Sequence, residues 1–344
     1  MPPREILIVM LSALGDAVHV LPVVNALKRK WPASRITWVI QPVPYELVAN
    51  HQAVDDFIIF QRRRGRAALG SYRELRRVFE GRHFDLLINL QVYLKAGLIT
   101  ALAPADIKLG FDRRRARDMN WLFTNRRIPA RPMQHVQDQY FEFVEYLGID
   151  PEPVEWRIQV TPDERAQQSA FFEPLGKTCA IVVGTSKPAK NWDPAHYARV
   201  IDVLESDFGL RTMIVGGPSA FERDLAAQIG QAARIKPINA LGNDIRRLVY
   251  LLDGASLVIS PDTGPLHIAR ALDKPVIGLY GYTNPKRYGP YRKYTDLVVD
   301  GYALSPDEDY PFSMEYRADG MTRVTVSAVL EKVQLAMTKY LTGV

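Results

Sequence analysis

The chain has 344 residues, 47% of them hydrophobic and 24% charged, with a formal net charge of +6. That length exceeds what one hydrophobic core usually fills, so two domains are expected, and the balanced composition excludes a disordered or fibrous protein. No apolar run approaches the roughly 20 residues of a membrane-spanning helix, so any membrane contact is expected to be peripheral.

Taken in chain order, apolar runs alternate with amphipathic patterns, the signature of βαβ units and a parallel sheet. Residues 6–11 read as the first strand, and the run meets a small-residue turn, Ser12-Ala13-Leu14-Gly15-Asp16, too early to serve as an export signal. Further strands are expected at 36–40, 57–60, 85–90 and 107–109, with helices at 18–30, 45–50, 72–80, 94–102 and 136–147, the last stopped by Gly148. Two prolines in 149–154 mark a linker, giving a first domain over 1–150.

The second half repeats the arrangement. Strands are expected at 179–183, 212–215, 235–238, 257–260 and 276–280, and helices at 194–207, 220–231, 245–252 and 265–272. Cys179, the one cysteine, lies in the first of these apolar runs and reads as a buried structural residue in a reducing compartment. An irregular stretch over 301–322 precedes a last helix at 326–340. The second domain is therefore set at 154–322, with 323–344 free to cross back and cover the first. The fold class is α/β, two Rossmann-like doubly wound domains facing across a cleft, and open sheets of this kind bind ligands at the carboxyl ends of their strands.

All the excess charge lies in the first half: residues 1–160 carry 23 Lys and Arg against 17 Asp and Glu, whereas residues 161–344 carry 21 of each. It peaks in the runs Arg62-Arg63-Arg64 with Arg66, Arg73 to Arg82, and Arg113-Arg114-Arg115 with Arg117. Such a field concentrates an anionic partner, with Arg62, Arg63, Arg113 and Arg114 as candidate contacts, although a solvated charged face accounts for the runs as well. Nucleic acid is not the expected partner, because RNA-recognition signatures are missing and the second half is neutral.

Four strand-to-helix turns carry candidate chemistry. In the first, Asp16 is a candidate general base beside Ser12, Gly15 and His19; helix capping is the simpler explanation of this loop taken alone. In the second, residues 184–192, Thr185 and Ser186 can donate to phosphate oxygens while Lys187 and Lys190 offset charge on a leaving group. The third, Gly216-Gly217-Pro218-Ser219 with Glu222, offers a carboxylate to a ribose or, equally, to the helix dipole. In the fourth, Asp262, Thr263, Gly264 and Pro265 open a helix whose free N–H groups favour an anion, with His267 on the same turn as a possible donor. None of these turns contains GxGxxG, which weighs against a nicotinamide or flavin dehydrogenase.

As an ordered set these pieces resemble the family 9 glycosyltransferases, the heptosyltransferases of the lipopolysaccharide inner core, over nearly the whole chain. The matching pieces are Leu14-Gly15-Asp16 with His19, Lys190 before Trp192, Gly216-Gly217-Pro218 with Glu222, Asp262 to His267, and Tyr280-Gly281 followed by Thr283, Pro285 and Gly289-Pro290. The resemblance implies a GT-B fold, an ADP-heptose donor and an acceptor on the lipid A side, a Kdo or heptose of the inner core. It implies Asp16 as general base, Lys190 on the diphosphate, Glu222 on the ribose, and Asp262, Thr263, Gly264 and His267 on donor sugar and phosphates. The chain departs from it at Tyr282, where a proline is common, and over 301–322, where some relatives carry cysteines.

The expected activity is inverting, metal-independent heptosyl transfer by a cytoplasmic enzyme that meets the inner membrane peripherally. It needs no cofactor, since the ADP-sugar is a substrate and the six histidines are scattered. A nucleotide-sugar epimerase of GT-B-like fold, or a family 9 transferase with another donor or acceptor sugar, is the alternative.

Overall fold

The computed structural model describes residues 1–341 except Arg64 and the side chain of Arg66. The chain divides into two compact units, Met1–Gln159 and Val160–Val344.

The first unit runs β1 (Glu5–Val9), α1 (Leu14–Lys30), β2 (Arg35–Ile40), α2 (Pro42–Val48), β3 (Asp56–Ile59), α3 (Ala68–Phe79), β4 (Phe84–Asn89), α4 (Leu94–Leu102), β5 (Ala105–Gly110), β6 (Arg126–Arg127) and α5 (Val136–Tyr146). Its six strands are all parallel, in the order β3-β2-β1-β4-β5-β6. Continuous apolar runs such as Ile6, Leu7, Ile8 and Val9 are fully buried, as a sheet covered by helices on both faces requires. The segment after α5, expected to be a linker, is bound to this unit instead. Arg29 donates to the carbonyls of Asp150, Glu152 and Pro153, Asn25 to that of Glu155, and the His51 ring meets the carbonyl of Trp156. Satisfying those carbonyls carries the unit to residue 159.

The second unit runs α6 (Pro162–Phe172), β7 (Thr178–Val182), α7 (Pro194–Ser206), β8 (Arg211–Val215), α8 (Ala220–Ala232), β9 (Ile238–Asn239), α9 (Ile245–Gly254), β10 (Leu257–Pro261), α10 (Gly264–Ala271), β11 (Val276–Tyr280), α11 (Pro285–Tyr288), β12 (Val298–Asp300) and α12 (Val326–Lys339). Its sheet, β12-β11-β10-β7-β8-β9, has the same winding as the first. Each unit is thus a Rossmann-like doubly wound α/β fold.

The periodic elements lie where the sequence puts them, within a few residues. The expected strand over 235–238 is displaced to Ile238–Asn239, and α6, α11, β6 and β12 are additions. Helix α6 carries a start signal, since Thr161 and Glu164 form a reciprocal capping box and Pro162 follows the cap, but its polar length hides the apolar stripe that identifies a helix. Helix α12, which the sequence left free to cross back, packs on α7, β11 and β12 of its own unit. Cys179 is buried in β7, and burial raises its thiol far above the usual range, in keeping with a structural role.

Candidate active site

In a sheet wound this way, the chain leaves the first and fourth strands in opposite directions, and the loops at their carboxyl ends open a crevice. In the first unit these are the loops after β1 and β4. Gln91 stitches them together, accepting from the Leu11 amide at 3.2 Å and donating to the Ser12 carbonyl at 2.5 Å. Buried Asn120 supports Gln91 in turn by donating to the carbonyls of Gln91 and Tyr93. On this frame Lys95, in the first turn of α4, donates to Ser12 Oγ at 3.2 Å. Burial, and then the Arg62 charge, push Lys95 below its usual range, while Asp16 pulls it back. The sequence reading missed Lys95, although the loop after the fourth strand is where the switch-point rule directs attention.

Asp16 is half-buried on the first turn of α1. Its Oδ2 accepts from the Ala13 amide at 2.7 Å and its Oδ1 from the Tyr140 hydroxyl at 3.2 Å. The capping role is therefore real. It does not exhaust the group, because each carboxylate oxygen accepts more than one hydrogen bond. Gly15 lies beside it on the same turn. His19 is 4% exposed, with Nδ1 2.9 Å from Gln137 Oε1 of α5.

Arg62, Arg63 and Lys95 line one cavity of about 300 Å³ with Phe60, Ser71 and Tyr72. Arg63 also pairs with Glu74 at 2.7 Å. Arg113 and Arg114 are exposed on the loop after β5 and are not among the residues lining that cavity; Arg113 covers the Trp121 ring at 4.3 Å. Arg115 is consumed structurally, bonded to Asp112 and to buried Glu142. Arg64 and the Arg66 side chain fall outside the described residues.

The corresponding loops of the second unit follow β7 and β10, and they meet directly. Lys190 Nζ donates to Asp262 Oδ2 at 2.6 Å and to its carbonyl at 3.1 Å, while the Thr283 hydroxyl donates to Oδ2 at 2.7 Å. Asp262 is 7% exposed, and burial alone would raise its pKa. His267 and Lys190 outweigh that and hold the carboxyl well below the usual range, although the His267 nitrogen stands 3.7 Å away, beyond a good hydrogen bond. Thr263 is the N-cap residue of α10 and Gly264 its first helical residue, so the helix opens beside this ion pair and offers an anion its N-terminal dipole.

The rest of the second unit's set is brought to the same edge. Thr185 donates to the Lys187 carbonyl at 2.7 Å, Ser186 is exposed, and the Lys187 ammonium sits 4.1 Å from the Tyr316 ring centre. Glu222 caps α8 reciprocally with Ser219 and also accepts from the Gly217 amide at 2.7 Å. Gly184 has φ +82°, and a Cβ there would lie 2.3 Å from Glu222 Cγ, so only glycine lets the β7 loop and the Glu222 side chain pass. Trp192 fixes the loop's far end by donating to the Val324 carbonyl at 2.8 Å.

Two acidic groupings bear on metal chemistry. Asp307-Glu308-Asp309 is an Asp-x-Asp run that the expectation of metal-free transfer overlooks; in the structure Asp309 pairs with Lys286 and Glu308 with both terminal nitrogens of Arg317. His83, Asp85 and Asp106 bring ligand atoms within 4.8 Å of one another at the opposite, strand-starting edge of the first sheet, where Asp85 Oδ2 already accepts from the amides of Arg4 and Glu5. Among the described residues, no helix is long and apolar enough to cross a membrane.

Comparison with known proteins adds the following. Residues 72–316 match the model of glycosyltransferase family 9 (heptosyltransferase). The chain is 28% identical to the lipopolysaccharide core heptosyltransferase OpsX of Haemophilus influenzae, over 96% of each chain. It is 30% identical to lipopolysaccharide heptosyltransferase 1 of Escherichia coli K12, over 84% of this chain and 91% of that one. In fold it is similar to the E. coli heptosyltransferase WaaC solved with ADP, with a TM-score of 0.76 and 23% identity over 96% and 99% of the two chains.

Proposed function

Because the chain belongs to glycosyltransferase family 9, the heptosyltransferases, we propose that it transfers a heptose from ADP-heptose to a sugar of the lipopolysaccharide inner core, with inversion and without a metal ion. The observation that carries the reading is the meeting of Lys190, Asp262 and Thr283 beside the first turn of α10. A lysine, a hydroxyl and a helix N-terminus at one sheet switch point suit a diphosphate. WaaC was solved with ADP, and this chain offers a comparable nucleotide the same fold.

The reaction is a single displacement. The acceptor hydroxyl oxygen bonds to the anomeric carbon as the carbon–oxygen bond to the diphosphate breaks, the electron pair leaves with ADP, and the hydroxyl proton passes to Asp16. A half-buried carboxylate on the first turn of α1 is suited to that proton. Charge grows on the departing diphosphate, where Lys190, the hydroxyls of Thr185 and Thr263 and the α10 N-terminus offset it. Ser186, Gly264 and His267 complete the donor surface, with Glu222 toward the ribose. Arg62, Arg63 and Lys95 receive an anionic, phosphate- or carboxylate-bearing acceptor precursor at the cytoplasmic face of the inner membrane, with Arg113 and Arg114 in its outer field.

The test is release of ADP from ADP-heptose with and without a Kdo-terminated acceptor in chelator-treated buffer, with the anomeric configuration of the product read by NMR. Acceptor-dependent release and an inverted product are expected. Release that requires added metal ions, a retained configuration, or an epimerised free nucleotide sugar would overturn the respective part of the reading.

A further inference from the structure

Lys187 has a partner that no sequence pattern announces. Tyr282 and Tyr316 stack face to face, with ring centres 4.7 Å apart and planes 13° from parallel, and the Lys187 ammonium lies 4.1 Å from the Tyr316 centre and 5.4 Å from that of Tyr282. The two tyrosines come from separate stretches joined by the Arg317 amide, which donates to the Tyr282 carbonyl at 3.0 Å. Arg317 is itself fixed by Glu308 and covers the Tyr302 ring at 4.2 Å, so the irregular 301–322 segment presents Tyr316 on a braced support.

The Lys187 backbone is equally committed. Its carbonyl accepts from Thr185 Oγ1 and from the Lys190 amide at 3.0 Å, and Lys190 reaches Asp262. Tyr282 precedes Thr283, which donates to the same Asp262 oxygen. The loop after β7 is therefore tied to the turn after β11 twice, on the inside through Asp262 and on the outside through the ammonium on the tyrosine stack.

We infer that the Tyr282–Tyr316 stack is a latch: by holding Lys187 it keeps the 184–190 loop ordered for the donor, making both tyrosines positioning residues and Lys187 an anchor rather than a diphosphate ligand. This rests on the reading of the Lys190 and Asp262 site as the donor's. Binding is stronger when a loop's ordering cost is met before the ligand arrives, and an exposed cation on an aromatic face supplies a modest part of that order. A side chain without an aromatic ring at 282 would offer no such face.

The test is a double-mutant cycle read as the Kd for ADP by calorimetry. Tyr316→Leu and Lys187→Met are each expected to weaken ADP about two- to five-fold, the size of an exposed cation–π contact. The double variant should be no weaker than the worse single one, because both remove one interaction. Tyr316→Phe should match the wild type, since the ring face and not the hydroxyl holds the ammonium. In turnover, Tyr316→Leu should raise donor KM more than it lowers kcat. Additive losses would overturn the latch, as would a loss of tenfold or more in Lys187→Met that is indifferent to residue 316, which would put Lys187 on the diphosphate itself. A Lys190→Ala variant that binds ADP like the wild type would instead overturn the donor site, and the latch with it.

Discussion

Asp16 and Asp262 both stand at the switch point of their own sheets, Asp16 after the first strand and Asp262 directly after the fourth, yet their surroundings differ. Asp262 is buried, bonded to Lys190 and Thr283, and held ionised well below the usual carboxylate range. Asp16 is half-buried, accepts from the Ala13 amide and the Tyr140 hydroxyl, and acts electrostatically on Lys95. A carboxylate gripped by a buried ammonium is a poor proton acceptor, because protonation forfeits the ion pair. The difference teaches that position in the fold selects where a carboxylate stands, while its partners decide which chemistry it suits.

Four measurements break or sharpen that contrast. The largest effect is expected for Asp16→Asn, with kcat falling about 10²- to 10⁴-fold while the Kd for ADP stays within a few-fold. Steady-state rates and calorimetry check this, and near-normal turnover would return Asp16 to capping alone. Asp262→Asn should act on stability: removing one partner of a buried ion pair costs about 3–5 kcal/mol in urea denaturation. The sign follows from the lowered pKa. The stabilisation from Asp262 is fully present above the ordinary aspartate range near pH 4 and is lost as pH falls toward the depressed native value. The wild type should thus lose stability on acidification below about pH 4 more steeply than the asparagine variant, and parallel profiles would remove Asp262 as an ionised anchor.

Gly184→Ala comes next, at about 1–3 kcal/mol of strain from its positive φ, with weaker ADP binding because Glu222 must move. A melting temperature and Kd equal to the wild type would show that the loop relaxes freely. The smallest effect is expected for Lys95→Met: a rise of roughly tenfold in KM for an anionic acceptor, with donor KM unchanged, since a charge-assisted contact contributes on that scale. Equal changes for donor and acceptor would move Lys95 out of the acceptor pocket.

Much of this was legible in the sequence, for identifiable reasons. Apolar runs bounded by turns specify strands, and a 3.6-residue stripe specifies helices, so the βαβ alternation and both sheets' central strands could be read directly. The strand-to-helix turns that carry Asp16, Lys190, Glu222 and Asp262 could be placed as well, since each is rich in small or polar residues and lies between an apolar run and a helix pattern. The reading failed where an element lacks that signal, as in polar α6 and the two-residue strands β6 and β9. It also failed where a residue's function depends on a distant neighbour.

What the sequence alone determined is the local grammar: which stretches are strands and helices, where the switch-point loops fall, and which residue types they carry. Only the tertiary structure decided that His19 meets Gln137, that Arg115 is spent on Asp112 and Glu142 while Arg62 shares a cavity with Lys95, and that Lys187 rests on two tyrosines 95 and 129 positions further along the chain. The physical reason is range. Periodicity and capping act within a few residues and leave a mark in the sequence, whereas pairing, desolvation and the pKa shifts that follow depend on groups that meet only when the sheet closes.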